Sequence, residues 1–258
     1  MTAVRKFCLC VLAISDVTCK KVHNNRLAKL DYNEVVAKIT FVKSTDSEEI
    51  ARFIAQKIQL KLDEGKKVLW LVPGGSAIKI VVAARYGLTR NLQALTVSLT
   101  DERYGPDGHV DSNWEQLTRA GFNFDGIMRV PILTGLDLDA TTNTFNVFLA
   151  QALKDNDYSV GVFGMGADGH TSGVLPGSPA VSSEDFCASY QGPDFIRITT
   201  TPRFITLLSE AFLYTSGEAK HHQLELLNQD VPLAEQPAQA LKLVPMLTVI
   251  NDSIGEAL

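Results

Sequence analysis

Two runs without a polar residue, Val68-Leu-Trp-Leu-Val72 and Val160-Gly-Val-Phe163, constrain the fold of this chain more than any other feature. A strand with one wet face alternates apolar and polar side chains, so a strand that does not alternate is covered on both faces, as in parallel sheets. Strand-like segments at Ile39–Val42, Leu95–Thr100, Arg129–Leu133, Phe195–Ile198, Ala211–Tyr214 and Met246–Ile250 read as their companions. Helical spacing fills the gaps. Ile50, Phe53, Ile54, Ile58 and Leu62 follow helix-start residues at 44–47, and Gly65 closes that helix. Residues 140–153 repeat the pattern through Phe145, Phe148, Leu149 and Leu153, and Leu224, Leu226 and Leu227 mark another helix after Gly217. Strands alternating with helices across short turns predict an α/β fold. The expected form is one doubly wound, mainly parallel sheet with helices on both faces, a Rossmann-like three-layer arrangement.

That pattern occupies residues 39–258 as a single domain, and residues 1–38 read as an N-terminal appendage whose composition fits disorder. Arg5-Lys6 before the apolar run 7–14 resembles a short signal-peptide core. So short a run does not span a bilayer, and no small-x-small cleavage site follows. The expected location is the cytoplasm, with no membrane partner. A net charge of −5 argues against a nucleic-acid surface, which carries a basic stripe. The four cysteines (Cys8, Cys10, Cys19 and Cys187) form no Cys-x-x-Cys, and no paired histidine spacing accompanies them. Neither a zinc site nor a disulfide framework is expected.

The chemistry-bearing residues follow the strands, where open α/β sheets keep their ligands. In Gly164-Met-Gly-Ala-Asp-Gly-His170, Gly164, Gly166 and Gly169 let backbone and ligand approach closely. Asp168 and His170 add a carboxylate and a group that titrates near neutral pH. The stretch also satisfies Gly-x-Gly-x-x-Gly. No helix follows directly, however, and Glu184 and Asp185 close no apolar strand, so a dinucleotide is not expected. Pro73-Gly74-Gly75-Ser76 leads into a helix carrying Ile80, Val81 and Ala84. Free N–H groups at such a helix start suit a phosphate, and Ser76 either donates its hydroxyl or caps the helix. Asp101-Glu-Arg-Tyr104 is read as a third strand-end loop, in which Asp101 and Arg103 point the same way if the backbone stays extended.

These blocks, with Ser112-Asn113 downstream of Asp101-Glu-Arg and Ser216-Gly-Glu-Ala-Lys220 near the end, occur together in an order that resembles the 6-phosphogluconolactonase family. The likeness covers residues 39–251. It implies hydrolysis of 6-phospho-D-glucono-1,5-lactone to 6-phosphogluconate in the oxidative pentose phosphate pathway, with no cofactor and no metal. It also implies a monomer or weak homo-oligomer whose partner is a small anionic sugar phosphate. His170 is implied as general base, with Asp101 orienting the base or the substrate. Gly74, Gly75, Ser76, Arg103, Asn113, Gly166, Asp168 and Lys220 are implied to hold the substrate and its phosphate. The chain departs from the family pattern at Ala77 (usually threonine), Gly105 (usually valine) and Gly173 (often serine).

Glucosamine-6-phosphate deaminases share the resembling fold and the Asp-Gly-His core, but they carry a proton-relaying glutamate five residues after the histidine. Leu175 stands there in this chain and relays no proton. A non-catalytic sugar-phosphate regulator is the other alternative. It would keep the phosphate loop, lose His170 and carry a DNA-binding helix pair, which the first 38 residues are too short to form.

Overall fold

The structure, a computed structural model, describes residues 37–258, so the expectations for the preceding 36 residues lie outside it. The chain from Val36 to Leu258 forms a compact unit of its own. It runs β1 (Lys38–Lys43), α1 (Ser47–Asp63), β2 (Val68–Val72), α2 (Ile78–Tyr86), β3 (Leu95–Leu99), β4 (Asp101–Arg103), α3 (Asn113–Arg119), β5 (Met128–Arg129), α4 (Leu138–Asp155) and β6 (Tyr158–Gly164). It continues β7 (Cys187–Gln191), β8 (Ile196–Thr200), α5 (Pro202–Ile205), β9 (Glu210–Thr215), α6 (His221–Leu227), β10 (Met246–Asn251) and β11 (Glu256–Ala257).

Eight strands form one sheet in the order β11-β1-β10-β9-β6-β2-β3-β5. Each neighbouring pair in it is parallel. All five residues of β2 are fully buried, which is why the run shows no alternation. Asp46 caps α1 by accepting from the N–H groups of Glu48 and Glu49, and the helix buries Ile50, Ile54, Ile58 and Leu62. Asp137 caps α4 in the same way at Ala140. Gly65 ends the first helical segment with a φ of 77°, a left-handed value that a side chain would strain.

Topology places the site. From β2 the chain winds outward to β3 and β5, and from β6 it winds the other way to β9 and β10. The adjacent strands β2 and β6 therefore flank the point where the winding reverses, and open α/β sheets bind their ligands beyond the carboxyl ends of such strands. The Gly74 and Gly164–His170 loops leave the sheet at that point.

Two strand expectations change in the structure. Asp101-Glu-Arg103 is not a loop but β4, an antiparallel partner of β8 in a second, three-stranded sheet of order β4-β8-β7. The expected strand 129–133 shrinks to Met128–Arg129. Val130 still donates to the Val97 carbonyl at 2.9 Å, but Pro131 has no N–H with which to continue the ladder.

Candidate active site

The glycine loop folds back on itself before it meets anything else. Gly166 N–H donates to the His170 carbonyl at 3.0 Å, and Thr171 Oγ1 donates to the Gly164 carbonyl at 2.9 Å. Gly169 has φ 84°. Asp168 Oδ1 accepts from the His170 backbone N–H at 3.1 Å and lies 2.6 Å from His170 Nδ1. Burial would raise the Asp168 carboxyl, but the His170 N–H, charge and ring together hold it below the usual carboxylate range. An ionised carboxylate only accepts, so the shared proton sits on Nδ1, and in the neutral ring the lone pair is on Nε2. Asp168, expected among the substrate-binding residues, holds the histidine ring through Oδ1. Gly166 is needed for this pairing, because a Cβ there would lie 2.2 Å from His170 Nδ1 and 2.5 Å from Asp168 Oδ1.

The small sheet supports the loop from beside it. Thr199 Oγ1 accepts from Gly173 N–H at 3.0 Å, and Tyr190 Oη donates to the Gly173 carbonyl at 2.6 Å. A Cβ on Gly173 would meet Thr199 Cβ at 2.9 Å and Asp101 Cβ at 3.3 Å, so the glycine here lets loop and sheet close together. Asp101 is buried, with Oδ1 accepting from Thr100 Oγ1 at 3.0 Å. Burial raises its pKa despite that bond and the nearby charges of Arg103, Arg197 and His170.

Asn113, expected among the substrate-binding residues, is only 1% exposed and braces Asp101. Its Nδ2 donates to the Asp101 carbonyl at 3.0 Å. A Cβ on Gly74 would lie 2.0 Å from Asn113 Oδ1, so Gly74 makes room for this amide. Through Asn113, Asp101 and Gly173 the three expected blocks touch one another.

Glu102 was not singled out from the sequence, yet its fully buried carboxylate organises the segment that carries Asn113. It accepts from the N–H groups of Arg103 (2.7 Å), Asn113 (2.7 Å) and Trp114 (3.1 Å), and from Ser112 Oγ (2.9 Å). Burial pushes its pKa up while these four donors oppose the rise. Ser112 caps α3 through Glu115 N–H. Gly105 stands against the His109 ring, which a Cβ would meet at 3.0 Å.

Beyond β2, Gly75–Ala77 forms a turn of 3-10 helix leading into α2, and neither start has a side-chain cap. Ser76 is exposed and does not cap the helix. Gly75 adopts φ 66° with open space around it. Uncapped N–H groups at a helix start are anion-seeking.

Lys220 lies at the entrance to α6, half-buried, with burial lowering its pKa against the pull of Asp252. Asp252 ties this segment down. It accepts from Gly217 N–H at 2.8 Å and Ser216 Oγ at 3.2 Å, and pairs with His221 Nε2 at 3.0 Å. One turn beyond Lys220, Gln223 lies against Gly169, where a Cβ would meet Gln223 Oε1 at 2.6 Å.

The structure thus defines an α/β protein with an ordered histidine–aspartate pair and an uncapped helix start at the switch point of its parallel sheet. The sequence model of the family described as glucosamine-6-phosphate isomerases/6-phosphogluconolactonase matches residues 43–248, and the chain belongs to that family. A 6-phosphogluconolactonase of Mycobacterium tuberculosis is 30% identical over 177 residues, 60% of this chain and 70% of the relative. One from Pseudomonas aeruginosa is 29% identical over 51% of this chain, and the match spans little more than half, 56%, of that relative. Among solved structures, a 6-phosphogluconolactonase from Shewanella baltica superposes with a TM-score of 0.71 at 21% identity, covering 84% of this chain and 99% of that one. At that identity the likeness speaks for the fold.

Proposed function

We propose that the protein hydrolyses 6-phospho-D-glucono-1,5-lactone to 6-phosphogluconate, the lactone-opening step of the oxidative pentose phosphate pathway. The observation that carries this reading is His170, held by Asp168 with Nε2 free, at the switch point beside an anion-seeking helix start. Nε2 takes a proton from a water molecule as the water oxygen attacks the lactone carbonyl. The resulting oxyanion collapses, the ester C–O bond breaks, and the ring oxygen leaves with the proton returned from Nε2. The product acid then ionises in solution. One positioned base contributes about 10²–10⁴-fold, sufficient for an ester that already opens slowly in water.

The substrate phosphate is assigned to the Gly74–Ser76 backbone with Arg103 and Lys220, which fixes the carbonyl near His170. Asp101 orients substrate hydroxyls from its buried position. Leu175 separates this reading from the deaminase branch of the family, since its side chain cannot move a proton during ring opening. The reading includes a cytoplasmic location and no nucleic-acid partner. A monomer or weak homo-oligomer suffices, because every assigned residue comes from one chain.

The test is the rate of 6-phosphogluconolactone disappearance, corrected for spontaneous opening, beside ammonia release from glucosamine 6-phosphate. Lactone turnover without ammonia supports the proposal. Ammonia release, or binding without turnover of either compound, overturns it.

A further inference from the structure

Arg197 belongs to none of the sequence blocks, yet β8 places it directly opposite Arg103 on β4. Opposed residues of an antiparallel pair share a face of the sheet, and like charges so placed repel. On the same face lie Asp101 opposite Thr199, and Tyr190 of β7 opposite Arg197. It is the face against which the glycine loop docks through Thr199 and Tyr190.

Among the described residues neither guanidinium is in an ion pair; Asp101, the carboxyl whose charge both of them feel, is held by Thr100 and Asn113. Arg103 donates from Nη1 to the Asp111 carbonyl at 3.0 Å and stacks 5.1 Å over the Phe195 ring. Its Nε is buried without a partner, and so is the Nε of Arg197. Gly192 makes room for the Arg197 side chain, since a Cβ there would come within 3.0 Å of that Nε. Two cations side by side, each with a buried donor unsatisfied, burden the fold without a structural return. Planar guanidinium forks hold the oxygens of phosphate or carboxylate bidentately.

We infer that Arg197 is a binding residue of the site and, paired with Arg103, holds the phosphate of the sugar-phosphate substrate. The inference rests on the lactonase reading for the identity of the ligand, not for the pairing itself. Arg197 sets specificity for the phosphorylated sugar and does not take part in moving protons.

Arg197→Gln removes the charge and Arg197→Lys keeps it without the fork. In R197Q, KM for 6-phosphogluconolactone should rise about 10–100-fold, the range for one lost charge-assisted bond. Inhibition by 6-phosphogluconate should weaken by a similar factor. Turnover of unphosphorylated gluconolactone should hold, and R197K should fall between. Because two repelling cations are relieved, the thermal midpoint of R197Q should equal or exceed that of the parent. An equal fall with both lactones, an unchanged KM, or a lowered midpoint in both variants would overturn the inference. Should the parent protein turn over neither lactone, the catalytic reading falls alone. Calorimetric titration with 6-phosphogluconate then decides the pairing: weaker binding by R197Q supports it and equal binding overturns it. Gluconate in the same titration shows whether a carboxylate, not the phosphate, is what the arginines hold; that result also overturns it.

Discussion

At the scale of single residues, the bond between Asp168 and His170 selects which imidazole nitrogen is free. His170→Asn removes the titrating nitrogen and should lower kcat by about 10²–10⁴-fold with KM little changed. Asp168→Asn should lower kcat comparably, because an amide no longer holds the proton on Nδ1. Steady-state kinetics on both variants checks this; a near-normal rate in either makes another group the base. Asp101 offers a pH test. Its folded pKa is raised by burial, so the folded protein holds that proton more tightly than the unfolded chain does. Stability therefore falls as pH rises from the unfolded value of about 3.9 through the folded one, and is level above. Asp101→Asn escapes that loss. Its thermal midpoint should exceed the parent's at neutral pH, and the gain should vanish in acid below the unfolded value; a gain that persists there would contradict the assignment.

Elements extend these residues' reach. Glu102 draws the end of β4 and the start of α3 together by accepting from three backbone N–H groups and one hydroxyl. Glu102→Gln turns one accepting oxygen into a donor facing the N–H of Trp114 or its neighbours. About 2–3 kcal/mol of stability should be lost in chemical denaturation, the cost of a buried donor left unmet. A loss under 0.5 kcal/mol, within the range of ordinary surface changes, would show that the segment holds without it. The glycine loop has a matching test. Gly166→Ala drives a methyl group into the His170–Asp168 pair without demanding a left-handed φ. It should depress kcat at least tenfold, on the scale of displaced catalytic groups, while circular dichroism stays that of the parent. Full activity would mean that the histidine need not sit where it does.

For the molecule as a whole, β1 lies between β10 and β11 in the large sheet, pairing with β10 from Lys38 to Lys43. A chain beginning at Val36 keeps the compact unit and should melt with the full chain, its rate on 6-phosphogluconolactone unchanged. A chain beginning at Thr45 loses β1 and leaves one side of β10 without its partner. It should be insoluble or melt well below the longer form; equal melting of the two would show that the sheet does not depend on β1.

The sequence by itself determined the parallel sheet, since the stretches Val68–Val72, Val160–Phe163, Ala211–Tyr214 and Val249–Ile250 are buried on both faces and so show no regular apolar–polar alternation. It also marked the glycine-rich turns with His170 and Asp168, because glycine–carboxylate–histidine spacing follows from local chemistry that packing alone does not demand. What neighbours contribute across space stayed hidden. Asp101-Glu-Arg103 has no apolar period, and it is a strand only because it pairs with residues nearly a hundred positions later. Cys187–Gln191 and its Tyr190 gave no strand signal for the same reason. The roles of Glu102, of Asn113 as a brace and of Arg197 opposite Arg103 are properties of tertiary structure, because each depends on a register between segments that no spacing within one segment encodes.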